Sequence, residues 1–242
     1  MSGCDHATVP AIHGTPDPGP RTPDARALLA HAQAVCFDVD STVIQDEGID
    51  VLAAFAGVGE QVAAMTANAM GGSLPFEVAL ARRLDLIRPS RDLLARCLAA
   101  HPPRLTPGIR DLIQTLQARG TTVWLVSGGF RAMIEPVADA VGVSRDRIIA
   151  NVIRFDDVGN YRDFDPDQPT SRSGGKAKAL GDLKARFGYA PLLMVGDGAT
   201  DLEARPPADA FIGFGGVVVR EKVKAGADWF VTSAQELRDV LV

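Results

Sequence analysis

One stretch limits the fold more than any other: Val35–Thr42, which reads V-C-F-D-V-D-S-T. An apolar run from Val35 to Phe37 meets two aspartates separated by one residue, and Ser41 and Thr42 follow at once. Read as a strand, the apolar residues are buried and the chain leaves a sheet at Asp38. Open α/β sheets bind ligands beyond the carboxyl ends of their strands. Two carboxylates there are poor core residues and good metal ligands. Taken alone, a strand closing in an acidic turn accounts for the stretch; three further motifs change that reading.

The surrounding pattern places the stretch in an α/β chain. Residues 1–24 are rich in Pro and Gly without periodicity and read as a flexible extension. A helix is expected from about Pro23-Asp24 to Gln33. From Asp46 to about His101 the apolar spacing is helical: Ile49, Leu52, Ala53 and Ala56, then Val62, Met65 and Ala69, then Phe76, Leu80, Leu84 and Ile87, then Leu93, Leu94 and Leu98. An all-helical stretch directly after the acidic strand predicts a cap, residues 46–103, inserted into a catalytic core of 25–45 and 104–242. Beyond it, Thr106 is expected to cap a helix with Pro107 in its first turn, ending before Gly120. Strands are expected at Thr122–Val126, Pro191–Val195, Ala210–Ile212 and Trp229–Val231, and a hairpin at Asn151–Phe155 with Tyr161–Phe164. Helices are expected at Phe130–Ala140, from Ser173-Gly174-Gly175-Lys176 to Phe187, at Ala199–Ala204, and at Ala234–Leu241. Strands alternating with helices predict a doubly wound, mostly parallel sheet.

Composition excludes several classes. A formal charge of −5 with scattered basic residues gives no nucleic-acid footprint. No apolar run approaches the ~18 residues of a membrane helix, and no secretory signal is visible. The cysteines Cys4, Cys36 and Cys97 are odd in number and irregularly spaced, which points to a reducing, cytoplasmic setting. None of the histidines (His6, His13, His31, His101) sits in a motif. A cysteine nucleophile with an arginine six positions on is also absent, since those positions are Pro10, Thr42 and Pro103.

Four features then fall at one edge of the expected sheet: Asp38 and Asp40, Ser127-Gly128-Gly129, Lys176, and Asp197 with Asp201. Carboxylates crowded together repel, and a divalent cation removes that penalty. Oxygen ligands without His or Cys favour Mg²⁺. Ser127 and the glycines after it suit phosphate oxygens, because glycine lets the backbone come close. Lys176 opens a helix, where the dipole favours anions, so an anion is expected beside it. The stretch is not a nucleotide P-loop: Thr170 and Ala177 stand where Gly and Ser or Thr are required. The combination points to phosphoryl transfer through a carboxylate nucleophile, with a second aspartate moving the proton.

These motifs, in this order, resemble the haloacid dehalogenase superfamily. Glu47-Gly48-Ile49-Asp50, Ala69-Met70-Gly71-Gly72, Pro75-Phe76, Leu105–Arg110 and Pro206–Gly213 resemble its phosphoserine phosphatase family, most closely the animal type, over about residues 35–235. The resemblance implies a Rossmann-like core with a helical cap and Mg²⁺-dependent hydrolysis of O-phospho-L-serine, the last step of serine biosynthesis. It implies Asp38 as nucleophile, Asp40 as general acid and base, and Asp38, the Asp40 carbonyl and Asp197 as metal ligands, with Asp201 supporting. Ser127, Gly128, Gly129 and Lys176 would hold phosphate. Glu47 would meet the substrate ammonium and Arg83 its carboxylate, with Met70, Gly71, Gly72 and Phe76 lining the lid. Thr200 would join the substrate site, standing where many bacterial relatives carry Asn. The resemblance also suggests a homodimer. Two other readings remain open: action on a related phospho-amino acid or transfer to another alcohol, and a phospho-accepting signalling module. The second has no use for a cap or for a proton donor at Asp40.

Overall fold

The computed structural model describes residues 24–69 and 74–242, without the side chains of 66–69. Eight strands are present among them: β1 Ala34–Phe37, β2 Thr122–Phe130, β3 Ile148–Asn151, β4 Ile153–Phe155, β5 Tyr161–Phe164, β6 Leu192–Gly196, β7 Ala210–Phe214 and β8 Trp229–Val231. The helices are α1 Ala25–Ala30, α2 Gly48–Phe55, α3 Gly59–Ala69, α4 Phe76–Ile87, α5 Arg91–Ala100, α6 Ile109–Ala118, α7 Arg131–Val141, α8 Gly175–Phe187, α9 Ala199–Leu202, α10 Glu221–Gly226 and α11 Ala234–Asp239. Six strands form a parallel sheet in the order β3-β2-β1-β6-β7-β8, with helices on both faces.

Strands covered on both faces read as continuous apolar runs, and β1 and β6 are buried throughout. Their alternating side chains serve two layers. Val35 and Phe37 pack with Leu112 and Ile113 of α6 and Val137 of α7. Ala34 and Cys36 pack with Ala179, Leu180 and Leu183 of α8. Each large side chain so buried contributes about 1.5–3 kcal/mol. A third cluster joins Leu52, Val62, Leu80, Leu84, Leu94 and Cys97 of the helical block α2–α5 to Phe130 and to Ile153 and Tyr161 of the β4–β5 hairpin.

The chain visits β1, β2 and β3 on one side, then continues with β6, β7 and β8 on the other. The order therefore reverses between β1 and β6, the place where open α/β sheets bind ligands.

Local expectations failed in four places. Thr106 does not cap α6: its N–H pairs with the Val43 carbonyl, its buried hydroxyl has no partner, and Gly108 at φ 77° takes the cap position. The bridge between Ile44 and Leu105 keeps that segment extended, so the helix starts later. The run expected as one arm of a hairpin is two strands: β3 extends the parallel sheet, and the hairpin begins at Ile153. The break falls at Val152, just after the polar Asn151 that closes β3, and the Val152 carbonyl accepts from the Asp165 N–H. β2 continues through Ser127 and both glycines to Phe130, across an irregular register. Helix α10 was not expected. The extension up to residue 23 lies outside the described residues.

Candidate active site

Asp38 follows β1 directly, and its N–H donates to the Val195 carbonyl of β6 (2.9 Å). Lys176, in the first turn of α8, reaches across to it: Nζ lies 2.8 Å from Asp38 Oδ1 and 2.6 Å from Asp201 Oδ1. All three side chains are nearly inaccessible, at 11% for Asp38, 7% for Lys176 and 0% for Asp201. The anions that the helix start called for are thus, in part, the chain's own. Burial works against the lysine charge, but Asp201 and Asp38 outweigh it and hold the ammonium above its ordinary pKa. Burial and the neighbouring Asp38 push Asp201 up.

Asp40 faces the other way. Its Oδ1 accepts from the Gly48 N–H at the start of α2 (2.7 Å), and its Oδ2 from the Ser127 hydroxyl (3.4 Å). Burial, then the charges of Glu47 and Asp38, raise its pKa to about 7. Gly129 donates its N–H to Ser127 Oγ (2.8 Å). A Cβ at Gly129 would lie 2.8 Å from Asp40 Oδ2, and one at Gly128 would lie 2.9 Å from the Phe76 ring. Both positions therefore need glycine for close approach. Asp40 and Gly129 also line a cavity of about 390 Å³ between core and helical block, past Val51, Leu98 and Met133.

Glu47 sits at the N-terminus of α2, where its carboxylate accepts from Ser41 (2.8 Å) and lies 3.7 Å from Arg220. Burial raises its pKa. Asp197, at the end of β6, accepts from Thr42 Oγ1 (3.2 Å) and from Arg220 Nε (2.9 Å). Burial, then Asp38, raises its pKa too. Arg83 is half-buried on α4, its Nε on the Ala79 carbonyl, and within the electrostatic reach of Asp50 and Glu47. Burial lowers its pKa, and those two acids oppose the shift. Thr200 lies half-buried in the short α9. Met70, Gly71 and Gly72 lie outside the described residues.

Sequence reasoning missed several partners. Arg220, before α10, joins Asp197 to Glu47, and no local pattern distinguishes it from a solvated arginine. Thr42 was legible only as part of the acidic motif. Buried Asn151, ending β3, donates to the Gly128 carbonyl (2.8 Å) and accepts from Thr170 (3.0 Å), which ties the backbone at Gly128 to the segment before α8. A lone polar residue closing an apolar run was the available signal.

Asp38, Asp197 and Asp201 are all buried, and each offers an oxygen within 4.8 Å of the others. Such a cluster is costly without a cation. Its oxygen-only donor set fits a hard divalent ion. Both Asp201 oxygens are engaged, by Lys176 and by the Gly198 N–H (2.9 Å), and both Asp197 oxygens by Thr42 and Arg220.

The family model for haloacid dehalogenase-like hydrolases matches residues 32–209. A phosphoserine phosphatase from Bos taurus is 54% identical over 218 residues, covering 90% of this chain and 97% of that protein. Among solved structures, a phospho-aspartyl intermediate analogue of a phosphoserine phosphatase superposes with TM-score 0.75 at 27% identity, covering 87% and 99% of the two chains. DsGPDH of Dunaliella salina gives TM-score 0.78 at 37% identity, covering 89% of this chain but 37% of that longer one.

Proposed function

Since the chain belongs to the haloacid dehalogenase-like hydrolases, and within them to the phosphoserine phosphatases, we propose that it hydrolyses O-phospho-L-serine to L-serine and phosphate with Mg²⁺, as the last step of cytoplasmic serine biosynthesis. The observation that carries this reading is the division of labour after β1. Asp38 is paired with a buried lysine, while burial and the charges of Glu47 and Asp38 push the carboxyl of Asp40, two residues on, up to about 7.

Asp38 attacks phosphorus and forms an aspartyl-phosphate. Asp40 passes its proton to the leaving serine oxygen. It then takes a proton from the water that cleaves the acyl phosphate, which restores both carboxyl groups. Lys176, Ser127 and the backbone at Gly128 and Gly129 hold the phosphoryl oxygens. Asp38, Asp197 and the Asp40 carbonyl would hold the Mg²⁺, which when bound supplies positive charge to the phosphoryl group.

Selection falls to the helical block, residues 46–103, acting as a lid. A free amino acid carries both charges, and Glu47 with Arg83 offers the opposite of each. A shut lid also keeps water and other phosphates out. Phosphate release from phosphoserine, phosphothreonine and phosphohomoserine, with Mg²⁺ or with chelator, tests the reading. Preference for phosphoserine in kcat/KM and loss of turnover with chelator are expected; turnover of phosphoserine that survives chelation, or no preference for it, sinks the reading.

A further inference from the structure

We propose that Ser173 and Glu77 form the fastening that holds the helical lid against the phosphate site, as positioning residues for the reaction. The inference rests on the lid reading above and adds residues that neither the family motifs nor the site chemistry include. It comes from an irregularity at the start of α4. The helix begins at Phe76 after Pro75, which provides no side-chain cap. The first N–H groups of a helix need an outside acceptor. Here the Phe76 N–H donates to Ser173 Oγ (3.1 Å), a residue 97 positions away on the core. Ser173 therefore caps α4 from the opposite side of the seam.

Glu77 completes the exchange. Its Oε2 accepts from the Ser173 N–H (3.0 Å) and from the Ser173 hydroxyl (3.1 Å). The hydroxyl thus donates to Glu77 and accepts from Phe76, so both of its roles are used at the seam. Two further features tie this point to the chemistry. Ser173 stands three residues before Lys176, and the Phe76 ring lies over Gly128. Helix α4 also carries Arg83. A fastening at its N-terminus therefore sets where that guanidinium stands relative to the phosphate. Ser173 is exposed and Glu77 half-buried, so water competes for these bonds. That suits a contact which must open at every turnover.

Glu77→Ala, Ser173→Ala and the double variant, assayed with phosphoserine, test the proposal. Each single change is expected to raise KM about three- to tenfold, with kcat unchanged or higher, since a looser lid releases product sooner. Glu77→Gln keeps an acceptor oxygen and falls between. The double variant is worse than either single but falls short of their sum, because the bond from the Ser173 hydroxyl to Glu77 is lost in both singles. Inhibition by inorganic phosphate, which needs the core groups alone, keeps its wild-type strength. An unchanged KM in both single variants, additive effects, or phosphate inhibition weakened in step with KM overturns the proposal. Failure of the underlying reading looks different: the unaltered protein then releases no phosphate from phosphoserine.

Discussion

The end of β1 and the seam at α4 perform opposite physical tasks. At the first, Lys176, Asp38 and Asp201 are almost completely removed from water and joined at 2.6–2.8 Å. At the second, Ser173 accepts from the Phe76 N–H and donates twice to the Glu77 carboxylate, through bonds that solvent can reach. Removing one partner of a buried ion pair strands the other charge and costs about 3–5 kcal/mol. Breaking a solvent-reached hydrogen bond costs about 0.5–1.5 kcal/mol. The buried ion pairs sit where the sheet order reverses, while the bonds at the seam are ones for which water competes.

Substitutions can break that contrast or sharpen it. The largest effect is expected from Asp38→Asn, which removes the proposed nucleophile and lowers kcat by on the order of 10⁴-fold; wild-type turnover would sink the assignment. Lys176→Ala comes next. It leaves two buried carboxylates facing each other, so denaturant titration of the metal-free protein should show a loss of about 3–5 kcal/mol along with lost activity. If stability barely changes, the site is wetter than its burial indicates. Glu47→Gln acts on the moving side. KM for phosphoserine is expected to rise about tenfold or more, with phosphate inhibition nearly intact; equal loss of both would place Glu47 with the core.

The most gradual effect is a pH dependence. Asp40 has a folded pKa near 7 against an ordinary 3.8. The folded chain therefore holds this proton more tightly than the unfolded chain. Its contribution to stability is complete below about 4 and fades as pH rises through about 7. Melting temperatures of chelator-treated protein should fall by on the order of ten degrees across that window, and less steeply in Asp40→Asn. Identical slopes in the two proteins would remove Asp40 as the source.

The legible parts of the molecule share a cause. β1, β6 and the acidic residues that close them could be read because an apolar run ending in carboxylates has few physical explanations. Ser127-Gly128-Gly129 and Lys176 were legible for the same reason: glycines at a strand end and a lysine at a helix start are poor structural choices that a phosphate explains. What was hidden depends on chain meeting chain. Arg220 becomes informative only when the loop after β7 brings it to Asp197 and Glu47. Ser173 becomes a cap only when α4 arrives from the far side of the sequence. Thr106 misled because its residue type suits a helix start, while the bridge beside it holds the backbone extended. The break between β3 and β4 left one trace, the polar Asn151 that closes β3, and it is easily read as part of a single run.

The layering of β1 has a practical corollary. Cys36, in the middle of that strand, and Cys97, in α5, are both fully buried, one in the sheet layers and one in the helical block. Burial drives both thiol pKa values upward, so neither reacts while its surroundings stay closed. Each thiol is therefore a built-in clock for its own region. Under a thiol-specific reagent, Cys97 marks the opening of the helical block, and Cys36 waits for the sheet itself to come apart.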